Sequence, residues 1–240
     1  MTGMRLAVFS DIHGNILALN EVLADLMKQG CDAVYCLGDL VGYGPRPNEA
    51  IETITSSGIP TVMGNYDDGV GYERGDCGCA YTTDEEKQNG YVSIQWTSKK
   101  VTPENKRRLR QLHDKIELQA SGKKVLLVHG SPRRINEYLY EDRPEKSIQR
   151  MLGTVEADVM VCGHTHKPYH RIVDGVHIIN DGSVGKPKDR DNRACYAIID
   201  IGETVSVEFR RVPYPIEEVA GEIIQYGLPG AFAEALRIGK

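Results

Sequence analysis

Apolar runs alternate with polar, glycine-containing turns along the first quarter of the chain. Three of these runs predict buried strands, at residues 5–10, 33–37 and 59–63. Apolar residues also recur at helical spacing from Leu19 to Leu26, which predicts a helix between the first two strands. A second short helix is predicted before the third strand. The repeated order of strand, loop and helix indicates a parallel sheet with crossover helices, in which ligands bind beyond the carboxyl ends of the strands.

The middle of the chain, from about residue 67 to residue 115, has no strong strand pattern. Thr83 is followed three residues later by Glu86, which is the spacing of a capping box and predicts the start of a polar helix. Thr102 followed by Pro103 predicts a second helix start, because proline is favoured at the first helical position. We therefore expect a small helical insertion at about residues 67–115, beside the functional site.

The second half of the chain has a more antiparallel pattern. Apolar runs predict strands at residues 123–128 and 159–162, and hairpins at residues 171–179 and 195–211. The first hairpin turns at Asp174-Gly175, a dipeptide that favours a tight turn between two strands. Two short helices are predicted at about residues 216–238. Because there is no internal repeat, low-complexity tract or linker, we expect one α/β domain that spans residues 1–240.

Composition and charge narrow the class of protein. Of the 240 residues, 40% are apolar and 26% are charged, which is typical of a globular chain with a sizeable core. The net charge of −5 argues against a nucleic acid partner, since a surface that binds the phosphate backbone normally has a basic excess. No apolar run reaches about 18 residues, so we expect no membrane-spanning segment. The first apolar stretch is also too short for a signal peptide.

Six cysteines are scattered along the chain. Such a pattern favours buried thiols in a reducing compartment, and we therefore expect a cytoplasmic protein. The pair Cys77 and Cys79 is the exception, because a C-x-C pair could bind metal, form a redox pair or have a structural role only.

Ligand-type side chains follow five of the predicted strands, nearly always next to a glycine. They are Asp11 and His13, Asp39, Asn65, His129, and His164 and His166. If the strands lie in one sheet, these seven side chains converge on one rim. Seven donors are too many for one tetrahedral zinc ion and fit two ions that share a carboxylate. Asp11-x-His13 and His164-x-His166 each place two donors at positions i and i+2. In an extended chain such side chains point the same way, so the two donors of each pair can reach the same group of ligands.

The mixture of imidazole and carboxylate donors suits Mn, Fe, Zn, Co or Ni better than Ca or Mg. Glycines next to the donors would let the backbone turn sharply and let a substrate come close. The sequence therefore predicts a binuclear centre of two divalent metal ions, and we favour Mn.

The chain resembles the calcineurin-like metallophosphoesterases across residues 5–185, in the order and spacing of its motifs. These motifs are Asp11-x-His13, Gly38-Asp39, Gly64-Asn65, His129 and Gly163-His164-x-His166. The resemblance implies a four-layer α/β/β/α sandwich of two mixed sheets, with the metals at the rim. It implies that the first ion is held by Asp11, His13, Asp39 and His166, and the second by Asp39, Asn65, His129 and His164. Two further loops, Ser131-Pro-Arg133 and residues 183–187, look like those of small bacterial phosphodiesterases.

The resemblance implies a phosphoester hydrolase in which a hydroxide that bridges the two ions attacks phosphorus. The family pattern Gly-Asn-His reads Gly64-Asn65-Tyr66 in this chain. A tyrosine titrates near pH ~10, so Tyr66 would be a poorer proton donor than histidine at neutral pH. This departure favours good leaving groups. It predicts a phosphodiesterase that hydrolyses a small nucleotide-type phosphodiester or polyphosphate.

Two alternative functions stay open, a phosphomonoester or phosphoprotein phosphatase and a non-catalytic metal-binding scaffold. Tyr66 argues against the first, and the complete set of seven donors argues against the second. The predicted catalytic residues are Asp39, Asn65, Tyr66 and His129, and the predicted substrate contacts are Asn15, Arg133 and Tyr66. The expected partner is a small-molecule phosphoester, and the sequence does not decide whether the chain forms a homo-oligomer.

Overall fold

Two β-sheets and eight helices make up the protein, in a computed structural model that describes residues 3–240. The strands are β1 (Met4–Phe9), β2 (Ala33–Cys36), β3 (Ile116–Ala120), β4 (Lys123–Leu127), β5 (Val159–Cys162), β6 (Tyr169–Val173), β7 (Val176–Asn180), β8 (Ala194–Ile201) and β9 (Val205–Val212). The helices are α1 (Ile16–Leu26), α2 (Pro47–Ser57), α3 (Asn65–Gly71), α4 (Asp84–Lys100), α5 (Pro103–Leu109), α6 (Glu145–Leu152), α7 (Ile216–Gln225) and α8 (Gly230–Ile238).

Both sheets are mixed. The first has the strand order β2-β1-β8-β9, with β1 parallel to β2 and antiparallel to β8. The second has the order β3-β4-β5-β7-β6, in which β4, β5 and β7 are parallel and the two edge strands are antiparallel to their neighbours. The predicted hairpins are confirmed as β6–β7 and β8–β9.

Alternating side chains of β1 show how the layers are built. Leu6 and Val8 face the second sheet and pack in a core that includes Val125 and Val161. Ala7 and Phe9 point the other way, into a core shared with α1, α2, α7 and α8. A third core lies between the second sheet and α6, where Met151 packs near strand residues. Because successive side chains of a strand point to opposite faces, one strand contributes to two cores. The predicted four-layer α/β/β/α sandwich is confirmed.

The predicted helical segment contains α3, α4 and α5. The Thr83 hydroxyl accepts a hydrogen bond from Glu86 N at the start of α4, and the Thr102 hydroxyl caps α5, which begins at Pro103. At the C-terminus, α7 and α8 occupy the predicted positions. None of the helices in the described part of the chain is long and apolar enough to cross a membrane.

Three elements differ from the sequence prediction. Residues 59–63 form no strand, only single bridges from Thr61 to Cys36 and from Val62 to His113, and Pro60 has no amide hydrogen with which to extend the ladder. The edge strand β3 was not predicted, although its residues alternate in burial. Helix α6 was also not predicted. It buries only Ile148 and Met151, which leaves a weak apolar signal.

Candidate metal centre

The seven predicted donors meet at one rim, but they come from two sheets and not from one. Asp11 and His13 follow β1, and Asp39 follows β2, both in the first sheet. His129 follows β4 in the second sheet, and His164 follows β5 in the same sheet. The single-sheet arrangement considered from the sequence is therefore wrong. The donors converge because the carboxyl ends of parallel strands in both stacked sheets lie on the same side.

The donors form two groups of three buried residues, and the ligand atoms in each group lie within 4.8 Å of one another. The first group, which we call cluster 1, is Asp11, His13 and His166. The second, cluster 2, is Asp39, His129 and His164. Asp39 Oδ2 lies 3.7 Å from His13 Nε2 and 3.5 Å from His129 Nε2. Its carboxylate therefore stands between the clusters, where a bridging ligand belongs.

The seventh predicted donor, Asn65, is the first residue of α3. Its Oδ1 lies 3.0 Å from His129 Nε2. Its amide Nδ2 donates to the carbonyl of Cys77 at 2.9 Å and lies 3.2 Å from Cys79 Sγ. These contacts fix the side-chain orientation, so that Oδ1 points to cluster 2.

The backbone at the donors is left-handed and not extended. The φ angles are 55° at Asp11, 50° at His13, 52° at Asp39, 65° at His164 and 59° at His166. Residues other than glycine rarely adopt this region, and its cost persists where surrounding structure imposes it, often at functional sites. The expectation of an extended chain is therefore wrong for both x-His pairs, and the expectation that each pair serves one cluster holds only for Asp11 and His13. The turn sends His164 to cluster 2 and His166 to cluster 1.

Two glycines allow the turns to pack this closely. A Cβ atom on Gly64 would lie 2.1 Å from Asp39 Oδ1, and one on Gly163 would lie 2.3 Å from Ser10 Oγ. Real Cβ atoms do not make such contacts, so only glycine fits at these positions.

Hydrogen bonds to backbone carbonyls fix the protonation of three histidine rings. The Nδ1 of His13 lies 3.0 Å from Val41 O, that of His129 lies 2.7 Å from Leu37 O, and that of His166 lies 2.5 Å from Lys186 O. A carbonyl only accepts, so each Nδ1 carries the hydrogen. In the neutral ring the lone pair is then on Nε2, which faces the cluster. This pattern is typical of metal-binding histidines.

Several buried atoms in the clusters face one another without a proton to share. His13 Nε2 lies 3.3 Å from His166 Nε2, although both are acceptors in the neutral rings. Asp11 Oδ1 and His164 Nε2 are buried and have no hydrogen-bond partner. Buried polar atoms normally have partners. A cation placed among these lone pairs would satisfy them together, so the residues present fit a bound metal ion.

The electrostatics of the clusters also favour metal binding. Burial lowers the pKa of His13, and it lowers the pKa values of His164 and His166 to about 3. Burial alone would raise the pKa of Asp11, but His166 and the other histidines outweigh it and hold that pKa well below its usual value. These four groups are therefore deprotonated at neutral pH, which is the state that binds metal.

His129 is the exception within the clusters. Burial would lower its pKa, but the Asp39 carboxylate outweighs burial and raises the pKa to about 10. In the same pair, burial would raise the pKa of Asp39, and His129 lowers it. Without metal, His129 is therefore a protonated ring that can donate to Asn65 Oδ1.

Sequence reasoning missed a buried pair behind cluster 1, Ser10 and Asp181. Ser10 Oγ lies 2.7 Å from Asp11 Oδ2 and 2.7 Å from Asp181 Oδ1. One hydroxyl hydrogen cannot serve both carboxyl groups. Burial and the Asp11 charge raise the pKa of Asp181 well above its usual value, so a neutral Asp181 donates to Ser10, which donates to Asp11. Nothing in the sequence pattern around Asp181 indicates this role.

The three predicted substrate contacts lie in different environments. Tyr66 is 1% exposed, its ring centroid is 5.5 Å from that of His13, and its hydroxyl has no partner. Asn15 uses both polar atoms internally, accepting from Ala18 N and donating to Gly185 O. Arg133 is ion-paired with Glu137. The structure therefore brings Tyr66 to the clusters, and engages Asn15 and Arg133 elsewhere.

The cysteines form no disulfide, and the two histidines His170 and His177 contact each other. The six cysteines all lie within residues 3–240 and are free thiols, with Cys77 Sγ 2.9 Å from Cys79 Sγ. His170 Nε2 lies 2.9 Å from His177 Nδ1, and the two rings are stacked. Neither histidine belongs to a cluster.

Comparisons with known proteins show the family to which this chain belongs. The model of the calcineurin-like phosphoesterase superfamily domain matches residues 4–204. An uncharacterized protein of Methanocaldococcus jannaschii is 34% identical over 258 aligned positions, which cover 100% of both chains. The phosphodiesterase YfcE of Escherichia coli is 26% identical over 197 positions, which cover 82% of this chain and 88% of YfcE. The crystal structure of a metallophosphoesterase from Sphaerobacter thermophilus has a TM-score of 0.81 and 29% identity, with 100% of both chains covered. This chain therefore belongs to the calcineurin-like phosphoesterase superfamily.

Proposed function

We propose that the protein is a binuclear metal-dependent phosphodiesterase for a small nucleotide-type phosphodiester or polyphosphate. The observation that carries the proposal is the pair of facing acceptors, His13 Nε2 and His166 Nε2, only 3.3 Å apart. The similarity to YfcE, which is named a phosphodiesterase, supports the reaction class. Mn is the favoured metal, because imidazole and carboxylate donors are mixed at the site.

Seven residues would hold the two ions, with Asp39 between them. The ions would supply an activated water nucleophile and neutralise charge on the phosphoryl oxygens. Neighbouring groups of the chain orient these seven side chains. The backbone carbonyls that receive the Nδ1 hydrogens hold the rings, and Ser10 holds the Asp11 carboxylate.

Tyr66 bears on which leaving groups the enzyme can release, and we propose that it favours phosphodiesterase chemistry. Burial raises the pKa of its phenol well above the usual value, so it does not donate a proton to a leaving group at neutral pH. Its hydroxyl is buried and has no hydrogen-bond partner, so it would have to become accessible to the substrate before it could donate a hydrogen bond to a phosphate oxygen. A substrate whose leaving group needs no protonation is therefore favoured.

The test compares two substrates with the same nitrophenol leaving group, bis-nitrophenyl phosphate and nitrophenyl phosphate. The protein is stripped with a chelator and assayed with and without Mn. We expect Mn-dependent hydrolysis of the diester and much slower hydrolysis of the monoester. Faster monoester turnover would favour a phosphomonoesterase, and no metal-dependent turnover of either would contradict the proposal.

A further inference from the structure

The loop between α3 and α4 places two thiols against each other. Cys77 Sγ lies 2.9 Å from Cys79 Sγ, and both thiols are free. A disulfide bond is ~2.05 Å long, so the two sulfur atoms need to approach by less than about 1 Å to form one. Cys77 is buried and Cys79 is half-buried, so a small reagent can reach the pair from the side of Cys79.

The residue between the two cysteines shapes the turn that brings them together. Gly78 has a φ of 66°, in the left-handed region that favours glycine. Its amide donates to Asp76 Oδ1 at 3.0 Å, and its carbonyl accepts from Asn136 Nδ2 at 2.9 Å. A Cβ atom on Gly78 would lie 2.5 Å from the same Asn136 nitrogen. The surrounding structure therefore fixes this turn and holds the two thiols in contact.

A C-x-C pair could bind a metal ion, form a redox pair or have a structural role only. A metal ion at the pair would need further donors. Among residues 3–240, the groups of three or more clustered donors are clusters 1 and 2, and neither contains Cys77 or Cys79. A structural role alone would not need two sulfur atoms in contact. The arrangement therefore favours a redox pair.

The same turn holds a proposed metal ligand. Asn65 Nδ2 donates to the carbonyl of Cys77 at 2.9 Å and lies 3.2 Å from Cys79 Sγ. Both of these partners of the amide group belong to the turn. The other end of the side chain, Oδ1, lies 3.0 Å from His129 Nε2, where the second ion would bind. A change in the turn is therefore passed to the position of Asn65 Oδ1.

We propose that Cys77 and Cys79 form a redox-active dithiol, and that its oxidation to a disulfide weakens metal binding at cluster 2 by displacing Asn65. This coupling rests on the proposed function. The oxidant is a small-molecule disulfide. One thiolate of the pair attacks it, which forms a mixed disulfide and releases one small thiol. The second thiolate attacks the neighbouring protein sulfur and releases the other small thiol. Two electrons and two protons pass from the protein to the oxidant.

The coupling acts in both directions. Loss of a group that orients a metal ligand typically costs ~10–100-fold in metal affinity. If the disulfide weakens metal binding by a given factor, bound metal lowers the equilibrium constant for disulfide formation by the same factor. The metal-loaded protein should therefore resist oxidation more strongly than the metal-free protein.

The test treats the full chain with oxidised glutathione in the absence of oxygen. Peptide mass mapping locates the disulfide, and calorimetry measures the affinity for Mn after glutathione is removed. We expect a disulfide between Cys77 and Cys79, and an affinity for Mn at one of two sites that is at least about tenfold lower. Dithiothreitol should restore the affinity. Glutathione buffers of graded ratio, with and without Mn, should show the equilibrium of oxidation shifted by the same factor.

Two variants serve as controls, and their melting temperatures show that they are folded. Cys79→Ser keeps an acceptor beside Asn65 and cannot form the disulfide, so its affinity for Mn should not respond to oxidised glutathione. Cys31→Ser changes a half-buried thiol outside the turn and should respond as the natural chain does.

The outcomes separate the two proposals. Absence of a disulfide between Cys77 and Cys79 overturns the inference, and so does a disulfide that leaves the affinity for Mn unchanged. Both results leave the phosphodiesterase proposal standing. Absence of Mn binding by the reduced natural chain overturns the proposed function, and the coupling with it.

Discussion

His129 Nε2 lies 3.0 Å from Asn65 Oδ1, and both atoms are proposed ligands of the same ion. The His129 Nδ1 hydrogen already goes to Leu37 O, so a hydrogen bond to Asn65 needs a second ring proton. The nearby Asp39 carboxylate overcomes the effect of burial and raises the pKa of His129 to about 10, which supplies that proton. Metal and proton therefore compete for the same nitrogen atom.

This competition predicts a pH dependence of metal binding. Below pH ~10, the metal must displace the His129 proton, so the affinity for Mn should rise about tenfold per pH unit between about pH 7 and pH 9. The other clustered histidines have lowered pKa values and contribute little there. Calorimetry in buffers of different ionisation enthalpy should show the release of about one proton per chain from the protein. An affinity that does not change over this range would contradict the assignment.

Removing one histidine from each cluster should have separable effects. The variant His166→Ala removes a donor from cluster 1, and His164→Ala removes one from cluster 2. We expect the metal content to fall from about two ions to about one in each variant, with diester turnover at least about a hundredfold lower. Metal content is measured by mass spectrometry. The control His170→Ala, which changes a histidine paired only with His177, should keep both ions.

Changing Tyr66 should alter which leaving groups the enzyme accepts. A histidine there could protonate a leaving group, so Tyr66→His should raise turnover of an alkyl phosphate monoester, whose leaving group needs a proton, by about a hundredfold, with little change for nitrophenyl phosphate. Tyr66→Phe removes a hydroxyl that has no protein partner, so the melting temperature should stay the same. If the hydroxyl contacts the substrate phosphate, diester turnover of Tyr66→Phe falls about tenfold. Equal alkyl monoester rates in Tyr66→His and the natural chain would show that another group supplies the proton.

Asp181 should destabilise the fold as the pH rises. Burial raises its pKa above the value in the unfolded chain, so above pH ~4 the unfolded chain ionises more readily than the folded one. Asp181→Asn keeps a donor toward Ser10 and removes this cost. The variant should be more stable than the natural chain at neutral pH, with no gain below pH ~4. Melting temperatures across this range provide the measurement.

Asp67 is a second buried carboxyl group, and it can be compared with Asp181. Burial and the Asp39 charge raise its pKa to about 8. Both of its oxygens accept backbone hydrogens, from Leu40 N and Gly64 N. An amide would direct its NH₂ group at one of these donors. Asp67→Asn should therefore lose about 1–3 kcal/mol of unfolding free energy at neutral pH. A gain in both variants would mean that relief of the carboxyl charge, and not hydrogen bonding, dominates.

The sequence predicted the donors better than it predicted how they are held. Asp39 and His129 could be found because ligand-type residues followed apolar runs, a signal that is local in the chain. The left-handed turn at His164 could not be found, because nothing in the pattern distinguishes it from an extended strand end. It depends on the close approach of Gly163 to Ser10, which only tertiary packing produces.

Residues that hold a metal donor in place, and do not themselves bind metal, are harder still to recognise in the sequence. Asp181 and Ser10 are far apart in sequence, and their hydrogen bond to each other forms only when the loop after β7 packs on the end of β1. Arg133, which directly follows the loop after His129, is a predicted substrate contact. The structure shows that Glu137 pairs with Arg133. Whether a basic side chain has an acidic partner depends on tertiary contacts, which the sequence alone does not show.

The most direct test of the binuclear centre is anomalous diffraction at the Mn absorption edge from a crystal of the Mn-loaded protein. The account predicts two peaks, one among Asp11, His13 and His166 and the other among His129, His164 and Asn65, with Asp39 between them. A single peak, or peaks away from these residues, would contradict it.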